Sequence, residues 1–80
     1  MNKPLVEAVA LAIRRFRKER SLSQEALADK AGLDRTYISG VERGVRNITL
    51  DSLDQIIRAL EVNYKQFFDA VSGEANGIPN

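Results

Sequence analysis

Eighty residues, 44% hydrophobic and 29% charged with a net charge of +1, can build one small globular core and no second one. The chain has no Cys and no His, which excludes Cys/His zinc sites, thiol nucleophiles, Ser-His-Asp triads, c-type haem attachment and disulfide frameworks. No apolar run approaches the roughly 20 residues needed to span a bilayer, and no signal-peptide pattern opens the chain, so the expectation is a cytoplasmic, cofactor-free, metal-free and non-enzymatic binding domain.

Apolar residues recur with a helical period almost throughout, and no segment of four or more residues alternates as a strand does. The first helix is predicted from Pro4, a good first-turn residue, to about Arg20, with Leu5, Val9, Ala12, Ile13 and Phe16 on its inner face. A second opens after Ser23 as N-cap, carries Glu25 in its first turn and stops at Gly32. A third begins after Asp34 and ends before Gly44. The loop Val45–Ile48 leads to Thr49, the cap of a fourth helix with Leu50, Leu53, Ile56, Ile57 and Leu60 inward. Asn63 and Gln66 have the spacing of a capping box for a short fifth helix bearing Phe67, Phe68 and Val71. Together these make an all-α, five-helix domain of residues 1–72. The Gly/Asn/Pro-containing residues 73–80 are expected to form a flexible tail.

The net charge hides an uneven distribution. Residues 1–46 hold ten Lys/Arg against six Asp/Glu, and residues 47–80 hold two against five. A basic half and an acidic half suggest one side that faces a polyanion and one that faces away. The window Gln24–Arg43 is where the pattern becomes specific. Two helices separated only by a glycine-centred turn must cross steeply, which demands small side chains at their contact. Ala28 supplies the small residue and Gly32 the turn, while Leu27, Ala31, Leu33, Ile38 and Val41 form an apolar seam. That is a helix-turn-helix pattern, which projects its second helix into the DNA major groove.

The run SQEALADKAGLDRTYISGVERG resembles the Cro/cI-type (XRE-like) helix-turn-helix regulators of phages and bacteria. The resemblance covers roughly residues 5–70 and implies a lambda-repressor-like DNA-binding fold. The stretch LDRTYISGVERGVRNITL is similar to the controller proteins of restriction–modification systems.

Within the third helix, Arg35, Thr36 and Ser39 lie opposite Ile38 and Val41 and are the candidate base readers. Arg can bond a guanine edge bidentately, and Thr can bond an edge or touch a thymine methyl. Tyr37 either lies over the sugar–phosphate backbone with its hydroxyl on a phosphate or packs as a half-buried ring. Gly40 is unusual inside a helix, and either close approach of DNA or a tight neighbouring helix accounts for it. Gln24, Arg43, Arg46 and Asn47 are candidate backbone contacts, with Arg46 alternatively reaching a narrow minor groove. The cluster Arg14, Arg15, Arg17, Lys18 and Arg20 scatters over more than one helix face and is not assigned as a phosphate patch. The resemblance implies instead that Arg17 pairs internally with Glu42.

The resemblance also implies a role for Glu25 and Asp29. They fall where activators similar to lambda repressor touch RNA polymerase, making its sigma subunit a candidate partner. Serving the helix dipole or solvent is the alternative. Specific affinity normally needs two half-sites, so a homodimer on a palindromic, double-stranded operator is expected. Its interface is predicted from the fourth and fifth helices at Ile57, Tyr64 and Phe67. The expected function is an autoregulatory transcription factor controlling a restriction–modification operon. A phage switch protein, or an antitoxin whose DNA contact is secondary, is the alternative.

Overall fold

The stops along this chain define its helices as clearly as the starts do. In the computed structural model, residues 4–76 are described, and every regular element among them is a helix. Helix α1 (Pro4–Glu19) starts on its proline as expected but ends without a glycine. Ser21 takes a φ of 56°, and the Ser21 and Leu22 amides donate back to the Lys18 and Arg17 carbonyls, both at 3.0 Å. This pair of return bonds is a Schellman stop. Helix α2 (Gln24–Ala31) begins where Ser23 Oγ accepts from the Ala26 amide at 3.0 Å, and it closes on Gly32 at φ 70°.

Helix α3 (Arg35–Glu42) follows after only Gly32, Leu33 and Asp34. Asp34 holds the N-cap position, but its carboxylate makes no capping bond; its carbonyl accepts from the Tyr37 and Ile38 amides instead. Helix α4 (Leu50–Leu60) is capped by Thr49, whose Oγ1 accepts from the Ser52 amide at 3.1 Å. Helix α5 (Tyr64–Asn76) opens on the reciprocal box read from the sequence. The Gln66 amide donates to Asn63 Oδ1 at 2.7 Å, and the Asn63 amide donates to Gln66 Oε1 at 3.2 Å. The helix runs on to Asn76, four residues past Ser72, because Glu74 and Ala75 are good helix formers and the next proline stands only at position 79. Residues 77–80 of the expected tail lie outside the described residues.

All five helices turn one apolar face to a common core. Ile13, Leu27, Ile38, Ile56, Ile57, Leu60 and Phe67 are fully buried within it. Helix α1 lies along α5, while α2 packs on both α4 and α3. The Phe16 and Phe67 rings meet at 6.1 Å between centroids, and burying a ring such as Phe67 contributes about 1.5–3 kcal/mol.

Two expectations are corrected here. Ile57 (2% exposed) and Phe67 (0%) belong to the core of the single chain and cannot form a dimer interface. Leu5 and Leu50, expected inward, are exposed instead, Leu50 by 83%, and Phe68 is exposed beside them. They share one side of the molecule, where the start of α1, the start of α4 and the middle of α5 border a common cleft. With Val6, Val9, Ile48 and Leu53 they line an open apolar cleft of about 230 Å³.

Candidate nucleic-acid interface

The geometry of α2 and α3 follows from small residues and return bonds. Ala28 and Ala31 are buried in α2, facing the buried Ile38 and Val41 of α3. The Leu33 amide donates to the Ala28 carbonyl at 2.9 Å and the Gly32 amide to Asp29 at 3.3 Å, which fixes the turn. Gln55 of α4 donates its side-chain amide to the Ala31 carbonyl at 3.2 Å, satisfying one of the carbonyls that α2 leaves free at its end. Along its length helix α3 is thus held by its apolar side. Arg35 and Thr36 stand exposed on the other side, with Ser39 partly covered.

The far end of α3 is anchored by an ion pair. Arg17 Nε donates to Glu42 Oε2 at 2.6 Å and Nη2 donates to Oε1 at 2.9 Å, a bidentate contact. The third guanidinium nitrogen, Nη1, donates to the Leu22 carbonyl at 2.8 Å. Glu42, hydrogen-bonded in this way, holds the Arg17 guanidinium above its ordinary pKa despite the opposing effect of burial. The Arg17 and Glu42 side chains are only 11% and 4% exposed, so the pair belongs to the scaffold. Gln24 joins it: its Nε2 donates to Glu42 Oε1 at 3.2 Å. The amide expected on a phosphate is therefore turned inward, because the buried carboxylate has a free lone pair to satisfy. Sequence spacing contains no signal for that contact, since the partners are 18 residues apart on different helices.

Gly40, Tyr37 and Arg46 come together in a way the sequence leaves open. An ideal Cβ on the buried Gly40 would lie 2.9 Å from Arg46 Cγ, so the neighbour that excludes a side chain is the stem of the loop arginine. The Arg46 guanidinium carbon sits 5.4 Å from the Tyr37 ring centroid, within cation–π range. Tyr37 itself is half-buried, and its hydroxyl is enclosed without a hydrogen-bond partner among the described residues. In the free chain packing turns the hydroxyl inward, the half-buried one of its two expected placements, and leaves the ring as the surface that meets Arg46.

The basic side chains divide into paired and unpaired ones, with Arg14 and Lys18 of α1 exposed and outside any ion pair among the described residues. Arg15, Lys30, Arg58 and Lys65 each meet a carboxylate, at Glu19, Glu61, Asp54 and Asp69. Arg20 caps α4 by donating to the Leu60 carbonyl at 3.0 Å. Among the described residues, Arg35, Arg43 and Arg46 have no such partner and are exposed, as is Asn47. Glu25 and Asp29 are exposed four residues apart on α2. Tyr64, the remaining predicted interface residue, is 52% exposed and donates its hydroxyl to Asp54. No grouping of carboxylates among the described residues is arranged to hold a metal ion, and no described helix is long and apolar enough to cross a membrane.

Known proteins share this sequence pattern and fold. Residues 13–67 match the helix-turn-helix family. The chain is 47% identical over 58 residues to control protein C.BamHI of Bacillus amyloliquefaciens, covering 71% of this chain and 72% of that protein. The restriction–modification controller protein C.Esp1396I, crystallised as a tetramer with its natural 35-base-pair operator, superposes with a TM-score of 0.89. Its identity is 43%, over 94% of this chain and 99% of that one. A tyrosine-to-phenylalanine variant of the same controller superposes with a TM-score of 0.93 at 40% identity, over 99% and 100% of the two chains. The chain belongs to the helix-turn-helix family, and within that family it is similar to the controller proteins of restriction–modification systems.

Proposed function

We propose that this chain is an autoregulatory controller of a restriction–modification operon, a cytoplasmic homodimer that binds a palindromic operator through α3. The observation that carries this reading is the set of exposed, unpaired Arg35, Arg43 and Arg46 around a helix held from behind by its apolar side and by the Arg17–Glu42 pair. A cation with no protein partner is available to exchange counterions for phosphates or to bond a guanine edge. The tetramer of C.Esp1396I on its operator supports the DNA partner and assembly beyond a monomer. The family is one of regulators and not of enzymes.

In this reading Arg35, Thr36 and Ser39 read bases, while Arg43, Arg46 and Asn47 hold phosphates. Gln24 and Tyr37 act indirectly, the first through Glu42 and the second through Arg46. The dimer forms over the apolar cleft of Leu5, Leu50 and Phe68 with Tyr64 beside it, replacing Ile57 and Phe67. Glu25 and Asp29 remain free to meet the sigma subunit of RNA polymerase when the operator lies next to a promoter.

A titration of labelled duplex from upstream of the gene, against a scrambled duplex, tests these roles. Arg35→Ala should lose roughly 1–3 kcal/mol on the operator and little on scrambled DNA. Arg46→Ala should weaken both and reduce the salt slope by about one. Equal losses for Arg35→Ala on the two duplexes would remove it as a base reader.

A further inference from the structure

Gly40 lies in the interior of α3, where glycine weakens a helix relative to alanine. It stands four residues from Thr36 and three from Tyr37, on the side of the helix shared with both. The space in front of it is filled by one residue: Arg46 Cγ lies 2.9 Å from the ideal Cβ position, with Arg46 Cβ and Cδ both at 3.6 Å. These are atoms of the middle of the side chain, so a methyl at position 40 displaces the whole stem. The Val45 amide also donates to the Gly40 carbonyl at 3.0 Å, tying the loop to the same residue through its backbone. Past Gly40 the guanidinium rests over the Tyr37 ring at 5.4 Å, and no carboxylate among the described residues pairs with it.

We propose that Gly40 is a positioning residue for DNA binding: its missing side chain lets Arg46 lie back across α3 onto Tyr37, holding a loop cation beside the base-reading face before DNA arrives. This inference rests on the DNA-binding reading above. An arginine free in a loop loses the freedom of several rotatable bonds when it meets a phosphate or a groove, and a packed stem has less to lose. The ring fixes direction while leaving the charge unneutralised. Gly40 therefore contributes to affinity without touching nucleic acid.

A double-mutant cycle on the operator duplex tests this, using Gly40→Ala, Arg46→Ala and the double variant, each with a thermal melt. Gly40→Ala should weaken operator binding by about tenfold, a loss of about 1.4 kcal/mol. Arg46→Ala should weaken it by at least as much, and the double variant should match Arg46→Ala within about twofold. Any loss of melting temperature in Gly40→Ala should likewise vanish once Arg46 is removed. Binding unchanged in Gly40→Ala overturns the proposal. So does a loss that persists in the Arg46→Ala background, because the glycine would then be clearing space for DNA itself, or a melting loss that persists there. A wild-type protein that does not prefer the operator over scrambled DNA removes the parent reading, which is a distinguishable result.

Discussion

Arg17 commits all three guanidinium nitrogens inside the protein, to Glu42 and to the Leu22 carbonyl, and this determines how α3 is held. Replacing it with methionine leaves Glu42 enclosed with only Gln24 to satisfy it. The loss should be about 3 to 5 kcal/mol, since a part-buried carboxylate is left without its counter-charge. Urea unfolding measures this, and pairing Arg17→Met with Glu42→Leu should recover part of the loss. A loss below about 1 kcal/mol for Arg17→Met would mean the pair is not structural. This pair was legible in the sequence only through family resemblance, because 25 residues and two turns separate its members. The Gly40–Arg46–Tyr37 cluster was half legible. A mid-helix glycine signals a close neighbour, but which neighbour depends on the path of an irregular loop, and no periodicity encodes that.

At the scale of elements, the caps read well and the faces less so. Ser23, Thr49 and the Asn63/Gln66 box each act locally, within three residues, so sequence suffices to place them. Leu50 and Phe68 obey the same helical spacing as their buried neighbours, yet stand outside the core. A periodic stripe gives direction around a helix but not the width of the surface waiting to receive it. Because Leu50 makes so little of the monomer core, Leu50→Glu should leave folding intact while dissociating the proposed dimer. Sedimentation together with a thermal melt checks both halves, and a variant that stays dimeric would place the interface elsewhere.

The same junction of α4 and α5 contains a pH-sensitive contact. The Tyr64 hydroxyl, and after it Arg58, hold the Asp54 carboxyl below its ordinary 3.8. A carboxylate depressed in the folded state contributes stability above its unfolded pKa and loses it as pH falls through the folded one. The stability difference between wild type and Asp54→Asn should thus be present at neutral pH and shrink below about 3.8. A difference that stays constant from neutral pH into strong acid would contradict this assignment.

For the whole molecule, the basic and acidic halves of the sequence differ in how many cations are left unpaired. In the acidic half Arg58 and Lys65 are matched by carboxylates four residues away. Around α3 three arginines are left without partners among the described residues. Charge composition made this side legible, whereas the proposed dimer surface depends on tertiary packing. If each subunit of a dimer brings Arg43 and Arg46 to phosphates, the plot of log affinity against log salt should fall with a slope of about −4. The most direct measurement is a competition titration of the wild-type protein on duplex from upstream of its own gene, across a series of salt concentrations with random duplex as competitor. The account predicts competitor-resistant binding with a two-fold symmetric footprint and that steep salt dependence. Binding that random duplex displaces equally well, or that is indifferent to salt, would contradict it.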